Sequence, residues 1–201
     1  MATKPGKVNI GDMKKAINKK LGIEVAYDLN HENPASIKDW IPTGSTILDW
    51  MIYPGKRAGI PVGRITELAG LSAAGKSFMA AVIAANANKK GMKVIYFDSE
   101  AAVDAEFLEK AGCDKNQILY VQATSVEMVL TSIEYLMEQW PDEQLLFIWD
   151  SIAASSPKAE LNAAYDKDSI GLQARAMSKG LRKITQIIGN KNITLVCLNQ
   201  T

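Results

Sequence analysis

Eight consecutive residues, Gly70-Leu71-Ser72-Ala73-Ala74-Gly75-Lys76-Ser77, fit the pattern G-x-x-x-x-G-K-[ST]. Their types suit one task, the wrapping of a polyphosphate. Glycines let the backbone close around the oxygens, a lysine reaches the β- and γ-phosphates, and a hydroxyl ligates Mg²⁺. The pattern needs a strand before it and a helix after it. Residues 65–69 form a short apolar run, and residues 78–90 carry Ala, Val, Ile and Met on a helical stretch. The start of that helix would present free N–H groups and its positive dipole end to the phosphates. The competing reading is a glycine-rich turn ahead of a buried helix. The expectation is that the chain binds a nucleoside triphosphate.

Other polar residues stand where apolar runs end. Asp150 follows Leu145-Leu146-Phe147-Ile148-Trp149 and fits a second metal-holding carboxylate, with a helix N-cap or turn aspartate as the alternative. Glu100 follows the run 94–99, where a carboxylate could polarise an attacking water; Asp98 is its rival, and position does not choose between them. Gln200 closes the run 193–198 and could bond a γ-phosphate as a neutral sensor, or simply begin a loop. Arg175, Ser178 and Arg182 are three and four apart on a predicted helix and so share one face. Two guanidiniums and a hydroxyl in a row suit a nucleic-acid backbone, against the competing reading of a solvated charged face. Lys158 and Lys167 lie upstream in a loop, with Gly171 at the helix start.

These residues need a scaffold. Apolar runs at 65–69, 94–97, 119–121, 145–149 and 193–198 read as strands, with helices near 103–112, 125–139 and 171–189 between them. Runs that are continuous rather than alternating imply strands buried on both faces, hence a mainly parallel sheet with helices on each side. In such α/β sheets the ligand lies beyond the carboxyl ends of the strands. A separate element is expected over 1–33: Met13, Ile17 and Leu21 recur at helical spacing, Gly22 marks the stop, and Asn30-His31-Glu32-Asn33-Pro34 reads as a linker to a core at 34–201. A helix that short must dock on something. A chain closing on a buried strand at Thr201 leads to the expectation of an incomplete sheet domain.

With 201 residues and 47% hydrophobic content, one sizeable core can form. No apolar run approaches a membrane span, and the lysine-rich start is unlike a secretory signal, so a cytoplasmic protein without membrane contact is expected. Cys113 and Cys197 read as buried reduced thiols and His31 as a surface loop residue. The net charge of +1 excludes a polycation, but Lys4, Lys7, Lys14, Lys15, Lys19 and Lys20 face only Asp12 in the first twenty residues. That basic helix could touch DNA, the acidic face of a neighbouring subunit, or only water.

Together these segments resemble the ATPase core of the RecA family of homologous recombinases, the phage UvsX-type proteins included. The likeness is carried by Pro42-Thr43-Gly44-Ser45 with Leu48-Asp49, by Gly63-Arg64-Ile65-Thr66-Glu67 running into the phosphate loop, and by Phe97-Asp98-Ser99-Glu100. It continues in Asp150-Ser151-Ile152-Ala153-Ala154, Pro157-Lys158-Ala159-Glu160, Gly171-Leu172-Gln173-Ala174-Arg175-Ala176-Met177-Ser178 and Leu198-Asn199-Gln200. The resemblance implies a RecA-like P-loop fold with ATP and Mg²⁺ as ligands, Glu100 as the water-activating carboxylate, and Gln200 as the allosteric glutamine that links γ-phosphate to a second DNA-binding loop. Asp104 and Phe107 fall where family members contact and stack on adenine. Residues 160–171 match the first DNA-binding loop, with Ile170 as the wedge between base triplets, and Gly171, Arg175, Ser178 and Arg182 match its DNA-contacting surroundings. The N-terminal helix resembles the element that packs on the next protomer of a filament. The function implied is a DNA-dependent ATPase that polymerises on single-stranded DNA and pairs it with double-stranded DNA for strand exchange. Ser77 stands for the commoner threonine, Phe107 for tyrosine, and Ala73-Ala74 makes the loop less polar than in most relatives. The family's second DNA loop and C-terminal domain would follow Thr201. Two other readings remain: a hexameric helicase or regulatory ATPase, expected to lack Pro157-Lys158-Ala159-Glu160, and a non-catalytic ATP-binding assembly subunit.

Overall fold

A computed structural model describes residues 9–31, 33–55, 58–161, 171–188 and 193–201. The chain divides into two units, Met1–Ser36 and Ile37–Thr201. In the first, α1 (Ile10–Leu21) starts at Asn9, whose side chain accepts the Gly11 N–H, and stops at Gly22 in the left-handed region at φ 69°. The Asn18 side chain then binds the returning chain, accepting from Val25 N at 3.0 Å and Ala26 N at 2.9 Å. Ile10, Met13, Ile17 and Leu21, the apolar stripe of α1, are all exposed.

The second unit opens on a two-residue antiparallel pairing of β1 (Trp40–Ile41) with β2 (Ile60–Pro61), bracketing α2 (Thr46–Ile52). Gly59 permits this pairing. Its φ is 102°, and a Cβ there would lie 2.2 Å from the Ile41 carbonyl oxygen. Five strands follow: β3 (Ile65–Gly70), β4 (Lys93–Asp98), β5 (Ile118–Gln122), β6 (Leu145–Asp150) and β7 (Ile193–Gln200). They form one sheet in the order β3-β7-β6-β4-β5, with every neighbouring pair parallel. The helices between are α3 (Lys76–Lys89), α4 (Ala105–Lys110), α5 (Val126–Gln139), α6 (Lys158–Leu161) and α7 (Leu172–Ile188). The molecule has the α/β architecture expected of a RecA-like sheet with helices on both faces.

Alternation along the strands builds two cores. Val94, Tyr96, Leu146, Ile148, Val196 and Leu198 face α3, whose Ala80, Ala81, Ala84 and Ala87 let that helix lie close to the sheet. On the opposite face Ile95, Phe97, Phe147, Trp149, Leu195 and Cys197 pack with residues of α5 and α7. Burial on both faces holds for the inner strands β4, β6 and β7 but not for the two edges. In β5, Leu119 is 51% and Tyr120 43% exposed, because strand order leaves this apolar run at the rim. The helix expected over 103–112 is shorter. Asp104 caps its start by accepting the Phe107 N–H at 2.7 Å, and Gly112 turns the chain at φ 95°.

Parallel register brings the polar strand ends to one rim. Gly70 pairs with Gln200, and Asp98 lies between Asp150 and Gln122.

Candidate functional site

The phosphate loop leaves β3 at Gly70 and enters α3 at Lys76, with residues 71–75 exposed. Gly75 stands at the N-cap of α3 in the left-handed region (φ 85°) and supplies no side-chain cap, so the first N–H groups of α3 have no side-chain partner there. A Cβ on Gly75 would meet no atom within 4 Å, which leaves open space beside those donors. Ala73 also adopts a positive φ, 59°, curling the loop back on itself. The Lys76 ammonium folds inward and donates to the carbonyls of Gly70 and Leu71, each at 2.8 Å. This concave array of backbone donors with one cation suits an anion carrying several negative charges.

Behind the loop stands a set of carboxylates with different environments. Asp150 is buried and bonded by Ser77 and by the Tyr96 hydroxyl, the latter at 2.8 Å. Burial raises its pKa, the two hydrogen bonds oppose the rise, and the neighbouring charges of Glu100 and Asp98 add to it. A divalent cation between Ser77 and Asp150 would reverse that balance, so the residues present fit Mg²⁺. Tyr96 is itself driven upward by burial and then by Asp150, and so remains a neutral donor.

Asp98 and Glu100 differ sharply. Asp98 is fully buried and accepts from Glu100 N at 3.0 Å, Val103 N at 3.0 Å and Tyr120 Oη at 3.1 Å. Its oxygens shape the turn after β4. Glu100 is exposed, and its Oε1 receives the Ser151 hydroxyl at 2.6 Å and Gln200 Nε2 at 3.0 Å. Among the described residues no hydrogen bond falls on its Oε2. Glu100, Gln200, Asp150 and the loop residues are therefore gathered at one rim. Asp104 and Phe107 lie at the start of α4, where the Phe107 ring meets Phe78 edge to face at 6.3 Å.

On α7, Arg175, Ser178 and Arg182 are all exposed, as the shared-face reading requires, and the Arg182 Nε lies back on the Ser178 carbonyl at 3.0 Å. Gly171 precedes the helix at φ 77°, its carbonyl accepting from Arg175 N. Ile170, Lys167 and most of the 160–171 loop fall outside the described residues, as do Lys4 and Lys7.

Residues 9–201 match the RecA N-terminal domain family. The chain belongs to the RecA family. It is 36% identical over 186 residues to protein RecA of Thermus aquaticus, covering 92% of this chain and 53% of that one. It is 34% identical over 206 residues to protein RecA of a Wolbachia from Drosophila simulans, covering all of this chain and 56% of the relative. Protein RecA of Streptomyces coelicolor is 37% identical over 160 residues, 80% of this chain and 41% of the relative. The chain thus spans about half the length of the RecA relatives it matches.

Within this RecA-type core, several residues at the site were not singled out from sequence. Tyr96 carried a usable signal, since a phenol inside a doubly buried strand must find a partner for its hydroxyl. Ser155 carried none, and Ser151 and Gln173 stand in segments that carry the family resemblance with nothing there to give either a role. Ser155 accepts from Trp149 Nε1 at 2.8 Å, shares a hydrogen bond with Ser99 Oγ at 2.7 Å, and donates to the Ser151 carbonyl at 3.0 Å. Such polar knots appear only when the strand ends are assembled.

Proposed function

We propose that this chain is the ATP-hydrolysing, DNA-gripping core of a recombinase. The observation that carries the reading is the convergence of Ser151 and Gln200 on Glu100 at the same sheet rim as the phosphate loop. Residues Gly70 through Ser77 would hold the phosphates of ATP, with Asp104 and Phe107 beside the adenine. Ser77 and Asp150 would hold Mg²⁺, which supplies charge neutralisation at the phosphates when bound. Glu100, oriented through Oε1, would accept a proton from or align the attacking water through Oε2. Lys76 would turn from the loop carbonyls toward the transferred phosphate, stabilising its charge. Gln200 would exchange its bond to Glu100 for one to the γ-phosphate and so report the nucleotide state.

Single-stranded DNA would lie along Gly171, Arg175, Ser178 and Arg182, with Ile170 contributing from the preceding loop. Contacts of this type grip phosphates without reading sequence. The exposed stripe of α1 fits packing on the next protomer of a filament, within which double-stranded DNA would be brought in for exchange. No helix among the described residues is long and apolar enough to cross a membrane. ATP turnover by this chain, measured with and without poly-dT, tests the reading. DNA-stimulated phosphate release is expected; nucleotide binding without turnover in either condition would place the chain among non-catalytic ATP-binding subunits.

A further inference from the structure

Gln173 stands on the first turn of α7, two residues before Arg175, and its side chain does not point to solvent. Its Nε2 donates to the carbonyls of Ile152 at 2.9 Å and Ser155 at 2.8 Å. Both amide protons are thereby committed to one turn, Ser151–Ser155, which follows β6. That turn is anchored on its other side by Ile152 N donating to the Leu198 carbonyl of β7 at 2.9 Å. Ser151, at its head, presents the hydroxyl that orients Glu100, and Ser155, at its foot, is locked by Trp149 and Ser99. A clamp on the two carbonyls fixes where the turn lies, and so where the Ser151 hydroxyl meets Glu100.

We propose that Gln173 is a positioning residue that couples the DNA-facing helix α7 to the water-activating carboxylate Glu100, through the Ser151–Ser155 turn. The route is a continuous chain of short polar contacts, Gln173 to the Ile152 and Ser155 carbonyls, then Ser151 Oγ to Glu100 Oε1. It runs separately from the Gln200 contact, which reaches the same Oε1 from β7. Two inputs, one from the helix and one from the strand, therefore set the direction of one carboxylate. A displacement of α7 by bound DNA moves the turn and re-aims Glu100. By reciprocity, nucleotide at the phosphate loop alters the freedom of the first turn of α7. The inference rests on the nucleotide- and DNA-binding reading given above.

The test is amide hydrogen exchange of the 172–179 segment in the full chain, with and without a slowly hydrolysed ATP analogue and Mg²⁺, nucleotide binding being read in parallel by fluorescence titration. In the wild-type chain, bound nucleotide changes exchange in that segment by about fivefold or more, the low end of ordinary coupling. Gln173→Met keeps the shape and removes the donor. It is expected to bind nucleotide with unchanged affinity and to lose both the α7 response and stimulation by poly-dT. Gln173→Lys restores a donor to the carbonyls and recovers part of both, which a merely structural loss would not allow. An α7 response of equal size in wild type and Gln173→Met, or none in the wild type despite nucleotide binding, overturns the inference alone. Failure of the wild-type chain to bind nucleotide overturns the inference and the function it rests on together. If Gln173→Met fails to fold, Gln173→Ser serves as the donor-shortened variant under the same criteria.

Discussion

Two carboxylates two residues apart have opposite fates, and the reason is hydrogen-bond occupancy. Asp98 accepts from two backbone N–H groups and the Tyr120 hydroxyl, whereas Glu100 accepts, among the described residues, on Oε1 alone. A fully buried group whose oxygens already organise a turn is poorly placed to handle a water. Replacing Glu100 by glutamine preserves size and the contacts on one side while removing basicity. Turnover is expected to fall by about 10²- to 10⁴-fold, the usual range for a lost general base, with nucleotide affinity retained. Phosphate release and nucleotide titration, run on the same preparation, separate the two effects. Replacing Asp98 by asparagine has a different signature. It weakens the turn carrying Glu100 and reduces thermal stability along with activity.

At the scale of elements, α7 carries the DNA reading. Arg175 and Arg182 are exposed on one face, and the Arg182 guanidinium donates to the Ser178 carbonyl of its own helix. If they neutralise phosphates of single-stranded DNA, each removed charge should flatten the dependence of log K on log salt by about 0.7. The double variant Arg175→Ala/Arg182→Ala, titrated into labelled oligo-dT across a salt series, is expected to lose affinity and to show that reduced slope. An unchanged slope would return both residues to a solvated surface. The same helix shows what a sequence reveals and what it withholds. Spacing of three and four residues places Arg175, Ser178 and Arg182 on one face without any coordinates. The role of Gln173 is not legible there, because its partners are backbone carbonyls 18 and 21 residues away, and carbonyls carry no sequence signature. The inner strands were legible because continuous apolar runs occur where both faces are covered. The exposure of β5 was not, since the order of strands in a sheet is decided by crossovers that no local pattern records. The β1–β2 pairing escaped for a related reason: two residues on each side are too few for any period to register.

For the whole molecule, one sheet organises both proposed ligand surfaces and also sets its pH behaviour. Burial pushes the Cys113 thiol up to about 11, and burial followed by the charge of Glu67 pushes Cys197 up to about 12. An unfolded thiol titrates near 8.5, so above that pH the unfolded chain releases protons that the folded chain retains. Stability is thus fully present below about pH 8.5 and declines as pH rises toward 11–12, by up to about 1.4 kcal/mol per pH unit for each thiol. Urea midpoints across this range should fall more steeply for the wild-type chain than for Cys113→Ala/Cys197→Ala. The central claim, however, is that the loop between β3 and α3 holds the phosphates of a nucleotide. Its most direct test is calorimetric titration of an ATP analogue and Mg²⁺ into the wild-type chain and into Lys76→Ala. Loss of a charge-assisted contact to phosphate is worth about 1.5–3 kcal/mol, so affinity should fall by at least about tenfold in the variant. Equal affinity in the two proteins would contradict the site, and with it the reading of the chain as a nucleotide-driven recombinase core.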